Sequence, residues 1–103
     1  MLIYNTSFHV EGDALIGPFR TYMRDIYLPK LIERGYVKNP RFVSLLTDIG
    51  EGMQGFSLMC EVENVVVLKK WKKEIGDELM KNFHNTFGER ILTFSTSMKV
   101  IEL

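Results

Sequence analysis

Apolar and polar positions alternate from the start of the chain. Leu2, Tyr4, Thr6, Phe8 and Val10 interleave with Ile3, Asn5, Ser7 and His9, and β-branched and aromatic types dominate, so residues 2–10 predict a strand. Glu11-Gly12-Asp13 breaks that run, and the Asp13 carboxylate is placed to cap a helix. From Asp13 to Arg34 the apolar positions are Leu15, Phe19, Tyr22, Ile26, Leu28, Leu31 and Ile32. Spacings of three and four dominate, which is a helical period. Gly17-Pro18 delays the start of that helix. Pro29 lacks an amide proton and crowds the preceding turn, so a kink or restart is expected near Tyr27-Leu28. Gly35 suits a left-handed C-cap.

Asn39-Pro40 predicts a turn, and residues 41–48 a second strand. Residues 49–54, with Gly50 and Gly52, read as a hairpin connection. Residues 55–63 form a third strand, with Phe56, Leu58, Cys60 and Val62 on one face and Ser57, Met59, Glu61 and Glu63 on the other. Asn64 is an N-cap for a second helix, whose stripe is Val67, Leu68, Trp71, Ile75, Leu79, Phe83 and Phe87. Gly76 is a weak point in that helix and Gly88 its end. Residues 90–101 predict a fourth strand rich in Thr, Ile, Val and Phe.

The order strand, helix, strand, strand, helix, strand is the ferredoxin-like βαββαβ unit of the α+β class. It implies a four-stranded antiparallel sheet with two helices on one face. Each strand carries apolar residues on both faces, so the face without helices needs a partner. Packing two sheets together would cover it and make a dimeric α+β barrel. A homodimer through the sheet faces is therefore expected.

Composition narrows the function classes. The chain has 103 residues, 46% hydrophobic and 25% charged, and thirteen basic side chains balance thirteen acidic ones. One domain over residues 1–103 fits that length. No excess of Lys and Arg marks a nucleic-acid footprint. One cysteine, Cys60, cannot form an intramolecular disulfide, so a reducing compartment is expected. No signal-peptide pattern opens the sequence and no apolar run approaches the roughly 20 residues of a membrane span. A cytoplasmic protein with no membrane partner is the expectation.

Candidate chemistry is sparse. His84 lies at the edge of the second helix's stripe, where an imidazole can act as a base or ligand. Trp71 is a core anchor or a pocket wall. Asn5 interrupts the first strand, and a buried amide must find partners. Tyr27, with Tyr22 and Tyr4, could meet Asn5 between helix and sheet, where hydroxyls beside an apolar wall suit a small aromatic ligand. Lys69-Lys70-Trp71-Lys72-Lys73 reads as a solvated face, neutralised by the pairs Lys70–Glu74 and Lys73–Asp77. Cys60 reads as a small buried hydrophobe. No phosphate loop, zinc pattern, Ser-His-Asp set or acidic metal cluster is present, so no metal is expected. The site residues expected for a small apolar or aromatic ligand between helices and sheet are thus Asn5, Tyr27, Trp71 and His84.

Three segments carry a resemblance. Leu2-Ile3-Tyr4-Asn5, the run Leu28-Pro29-Lys30-Leu31-Ile32-Glu33-Arg34-Gly35-Tyr36, and Phe87-Gly88-Glu89-Arg90-Ile91-Leu92-Thr93-Phe94-Ser95-Thr96 resemble the uncharacterised bacterial domain-of-unknown-function family 4286. The similarity spans nearly the whole chain. It implies a dimeric α+β barrel and no assigned activity. The wider barrel superfamily includes antibiotic-biosynthesis-type monooxygenases and haem-degrading enzymes. The haem-degrading members use an Asn on the first strand with a Trp and a His on the second helix, for which this chain offers Asn5, Trp71 and His84. A cofactor-independent or haem-dependent monooxygenase is therefore the alternative to a protein that binds without chemistry and without cofactor. Thirteen residues separate Trp71 from His84, about 220° of rotation, so an unbroken helix puts them on different faces.

Overall fold

The computed structural model describes residues 1–47, 50 and 52–103. Strand β1 (Leu2–Glu11) runs along the middle of the sheet, between β3 (Met53–Val62) and β4 (Ile91–Lys99), and β2 (Val37–Ser44) forms the outer edge beside β3. The order β2-β3-β1-β4 is antiparallel throughout, with Phe8 opposite Phe56 on one side and Thr93 on the other. Helix α1 (residues 16–31) and helix α2 (residues 65–87) lie on one face. This is the expected α+β, ferredoxin-like arrangement.

Alternation on β1 decides which side chains the helices cover. Tyr4, Thr6, Phe8 and Val10 are buried, whereas Ile3, Asn5, Ser7 and His9 face the other way and are only partly covered. Phe8 is the hub of the core, with ring centroids 5.3 Å from Phe19, 5.7 Å from Tyr27 and 5.3 Å from Phe83.

Both helices are wound unevenly. Each contains one turn of π-helix, Met23–Tyr27 in α1 and Lys72–Gly76 in α2. The spacing of the buried residues explains this. Phe19, Met23, Tyr27 and Leu31 recur every fourth residue, as do Trp71, Ile75, Leu79 and Phe83. A step of four in an α-helix overshoots one turn by about 40°, so a regular helix would carry this stripe off the sheet. A single wide turn takes up one residue and returns the stripe to the core. In α1 the wide turn ends just before Leu28-Pro29, the place where the proline was expected to disturb the helix. In α2 it ends on Gly76, the expected weak point.

The ends follow the chemistry read from the sequence, with one exception. The Asn64 side chain accepts a hydrogen bond from the Val67 amide at 3.0 Å, and Gly35 and Gly88 close the helices with positive φ. Asp13 makes no capping bond; it opens a 3-10 turn, Asp13–Leu15, ahead of α1.

The second strand differs from expectation. It begins at Val37, ahead of Asn39-Pro40, and ends at Ser44, so Leu45 and Leu46 lie beyond it. Asn39 takes a positive φ of 52°, and the register slips between Lys38 and Arg41. The residues read as a turn thus make a bulge, which an edge strand tolerates because it lacks a partner on one side to bond the missing Pro40 amide. The third strand starts at Met53, inside the expected connection, part of which lies outside the described residues.

The face away from the helices is divided. Its middle is partly polar: Ser7 lies opposite Ser57 and Asn5 opposite Thr96, with Phe94 and Met59 completing the two rows. Its apolar surface gathers on β4, where Leu92, Phe94 and Met98 are 45%, 54% and 41% exposed. Among the described residues, no helix is long and apolar enough to cross a membrane.

Candidate functional site

The four side chains singled out in the sequence occupy separate surroundings. Asn5 faces away from the helices. Its amide nitrogen donates to Ser7 at 3.2 Å and its oxygen accepts from the Ser57 hydroxyl, so its polar atoms are satisfied within the sheet. Tyr27 is 2% exposed, edge-on to Phe8 and Phe83. On the same face of β1, the Thr6 hydroxyl lies 3.1 Å from that of Ser95 on β4. Burial holds the Tyr27 phenol well above the ordinary tyrosine range.

Trp71 is buried, with its indole N–H on the Leu31 carbonyl and its ring 5.4 Å from that of Tyr4. His84 is exposed, 3.2 Å from the Thr93 hydroxyl. The wide turn at Lys72–Gly76 does not bring His84 round to the face of Trp71. Asn5, Trp71 and His84 therefore do not converge, and their positions do not fit a shared haem pocket. Among the described residues, no group of three or more His, Cys, Asp or Glu side chains is placed to hold a metal ion.

Cys60 is buried beside β1, its thiol 3.6 Å from the Tyr4 carbonyl, and burial pushes the thiol up to about 11. That keeps it protonated and unreactive near neutral pH. The lysine run is only partly what the sequence suggested. Lys70 lies over the Tyr36 ring and Lys72 over the Tyr4 ring, each 5.3 Å from the centroid. Glu74 pairs with Arg34 and accepts from Tyr36 at 3.1 Å, in place of the expected Lys70.

A site of another kind opens on the helix side, at the β2 edge. There α1 and the sheet splay to leave a groove of about 490 Å³. Met23 and Leu28 of α1 line it together with Phe42 of β2 and Leu58 of β3. Phe42 stacks on Phe56, with ring centroids 5.5 Å apart and planes 3° from parallel, yet stays 38% exposed. Arg20 and Arg24, one turn apart on α1, stand at the rim with Gly17 and Thr21. The volume lies in the range of small-molecule sites.

Sequence reasoning passed over this groove. Its one local signal is the pair Arg20 and Arg24, like charges four residues apart with no acid four residues before or after Arg20. Phe42 could not be assigned to it, because the bulge at Asn39-Pro40 sets which way Phe42 points.

Solved structures share this architecture at very low identity. A proposed antibiotic biosynthesis monooxygenase from Deinococcus radiodurans superposes with a TM-score of 0.71 at 10% identity, covering 100% of this chain and 95% of its own. HapK from Hahella chejuensis also gives 0.71, at 6% identity, covering 98% of this chain and 93% of its own. A dimeric ferredoxin-like protein from an uncultured marine organism gives 0.56 at 11% identity, covering 99% and 97%. At these identities the likeness establishes the fold alone. No curated protein matches the chain. The family described as a domain of unknown function, DUF4286, matches residues 1–101, and the chain belongs to that family.

Proposed function

We propose that the protein is a small homodimer that binds a small apolar or aromatic molecule between its helices and its sheet, in the groove of Met23, Leu28, Phe42 and Leu58. The observation that carries this reading is the half-exposed Phe42 ring at the groove wall. A large aromatic surface left open beside other apolar side chains is stabilised when a ligand excludes water from it, by roughly 25 cal/mol for each Å² covered. The lining supplies apolar surface and positive charge rather than an acid–base pair, which favours binding over chemistry. Nothing in the arrangement of Asn5, Trp71 and His84 favours the monooxygenase alternative.

The homodimer rests on the sheet face opposite the groove. Leu92, Phe94 and Met98 leave an apolar strip on β4 that a second copy would cover by a two-fold, sheet-to-sheet contact. The dimeric neighbour from the marine organism supports that assembly. The groove lies on the other side of the sheet and would remain open.

Amide NMR titration with a neutral aromatic, naphthalene-2-carboxamide, tests the binding reading. Saturable shifts at Met23, Leu28, Phe42 and Leu58, weakened in Phe42→Ala, are expected. Unmoved resonances at millimolar ligand overturn it.

A further inference from the structure

The rim of the groove carries charge that the protein leaves largely unused. Arg20 makes no ion pair among the described residues. Arg24 pairs with Asp25, its neighbour in sequence, and both are exposed: Nε donates to one carboxylate oxygen at 2.7 Å and one terminal nitrogen donates to the other at 3.1 Å. That pairing uses one edge of the guanidinium, and the opposite edge keeps free donors. Arg20 and Arg24 are four residues apart on one helix, a spacing at which like charges repel mildly. Asp25 offsets Arg24 in part, and among the described residues no acidic side chain lines the groove to offset Arg20. The chain as a whole is neutral, thirteen charges against thirteen, so this concentration of cations is local.

A second observation is independent of charge. Gly17 stands at the groove mouth, inside the first helical turn of α1. Its φ is not positive, and a Cβ built on it meets nothing within 4 Å. Pro18 follows it and favours a residue without a Cβ in the helical conformation, and beyond its chain neighbours nothing crowds the position. It lines the groove without a side chain, together with Arg20 and Arg24.

We infer that the groove takes an anionic amphiphile: a small monocarboxylate whose flat or chain-like apolar body lies along Phe42, Leu58, Met23 and Leu28 while its carboxylate meets Arg20 and Arg24. This rests on the reading that the groove binds a ligand, and it adds the ligand's charge and orientation. The guanidinium edges match a carboxylate's two oxygens, and Thr21 adds a hydroxyl at the same rim. A bare phosphate or sulfate would leave the apolar floor uncovered, so the body of the ligand matters as much as its head.

A matched pair of probes tests it. Naphthalene-2-carboxylate and naphthalene-2-carboxamide share a body and differ in charge. Both are titrated into the intact protein at low salt and followed at the Met23, Leu28, Phe42 and Leu58 amides. The carboxylate is expected to bind about tenfold tighter, with the margin shrinking as salt rises. Arg20→Gln should narrow the margin and the double variant Arg20→Gln, Arg24→Gln should erase it, the carboxylate losing more affinity than the carboxamide. Gly17→Leu, which puts a side chain into the groove lining, should weaken both probes. Equal binding of the two probes overturns the anionic preference while leaving the groove as a site. A carboxylate preference that survives the double arginine variant places the anion elsewhere and also overturns it. No shift with either probe overturns both the preference and the site.

Discussion

The indole N–H of Trp71 donates to the carbonyl oxygen of Leu31 at 2.9 Å, and both residues are buried. Leu31 ends the regular part of α1, so its carbonyl belongs to the last turn, where intrahelical partners run out. Trp71 supplies that partner from α2 and locks the two helices at one depth on the sheet. Trp71→Phe keeps most of the apolar volume and removes the donor. It is expected to lower unfolding free energy by about 2–3 kcal/mol, from an unsatisfied buried carbonyl and a small void. Urea denaturation with an unchanged slope checks this; a loss under about 0.5 kcal/mol would show that water replaces the bond.

Two helical glycines should respond unequally to alanine. A Cβ at Gly76 would sit 2.6 Å from a ring carbon of Trp71, so Gly76→Ala should destabilise by about 1–3 kcal/mol despite alanine's better helix propensity. At Gly17 the space is open, but Pro18 disfavours a helical residue with a Cβ before it and offsets alanine's better propensity, so Gly17→Ala should shift stability by less than about 1 kcal/mol. A thermal midpoint lowered no further by Gly76→Ala than by Gly17→Ala would contradict the tight contact of Gly76 with Trp71.

The proposed assembly makes a prediction at β4. Phe94 is 54% exposed, contacts His9 with ring centroids 5.2 Å apart, and among the described residues meets no other ring. Phe94→Asp should therefore leave the protomer folded and split the homodimer. Sedimentation velocity at micromolar concentration should give a dimer for the parent chain and a monomer for the variant, with matching far-UV circular dichroism. A monomeric parent removes the sheet-to-sheet assembly from the proposal.

Alkaline pH should weaken the fold through Cys60 and Tyr27. Both are acids whose neutral forms the core prefers, because burial raises their folded values above the unfolded ones. The thiol's contribution is complete below its ordinary value of 9.0 and is lost as pH climbs through about 11. It amounts to at most about 2–3 kcal/mol. Cys60→Ala should flatten part of the fall in stability between those two values. Alkylation of the native parent by iodoacetamide at pH 7.4 should be far slower than after unfolding.

Much of this molecule was legible in the order of its residues. Strict alternation marked β1 and also separated Asn5 from Phe8 by face. Helical spacing announced two helices, but the first stripe was read through Tyr22, Ile26 and Ile32, whereas the structure buries Met23 and Tyr27 and leaves Ile26 and Ile32 exposed. The every-fourth-residue recurrence of the buried positions is the signature of a wide turn. That signature reads as plain helix unless the drift of about 40° per step is followed along it. Asn39-Pro40 looked like a turn because both residues favour one locally. It became a bulge because β3 offered a pairing edge on one side and required nothing on the other.

The candidate site was much less legible. Tyr27, Trp71 and His84 drew attention as chemically versatile side chains, yet two became core and one faces solvent beside Thr93. Arg20, Arg24 and Phe42 looked ordinary, and their meeting depends on where α1 crosses β2.

Periodicity, capping residues and glycine positions determined the elements and their order here, because those preferences act between residues a few positions apart. Only the tertiary structure decided that Asn5 turns from the helices, that Tyr27 lies sealed behind Phe8, and that a groove stays open beside Phe42. Those outcomes depend on contacts between residues far apart in the chain, and on the space left once the large side chains have packed.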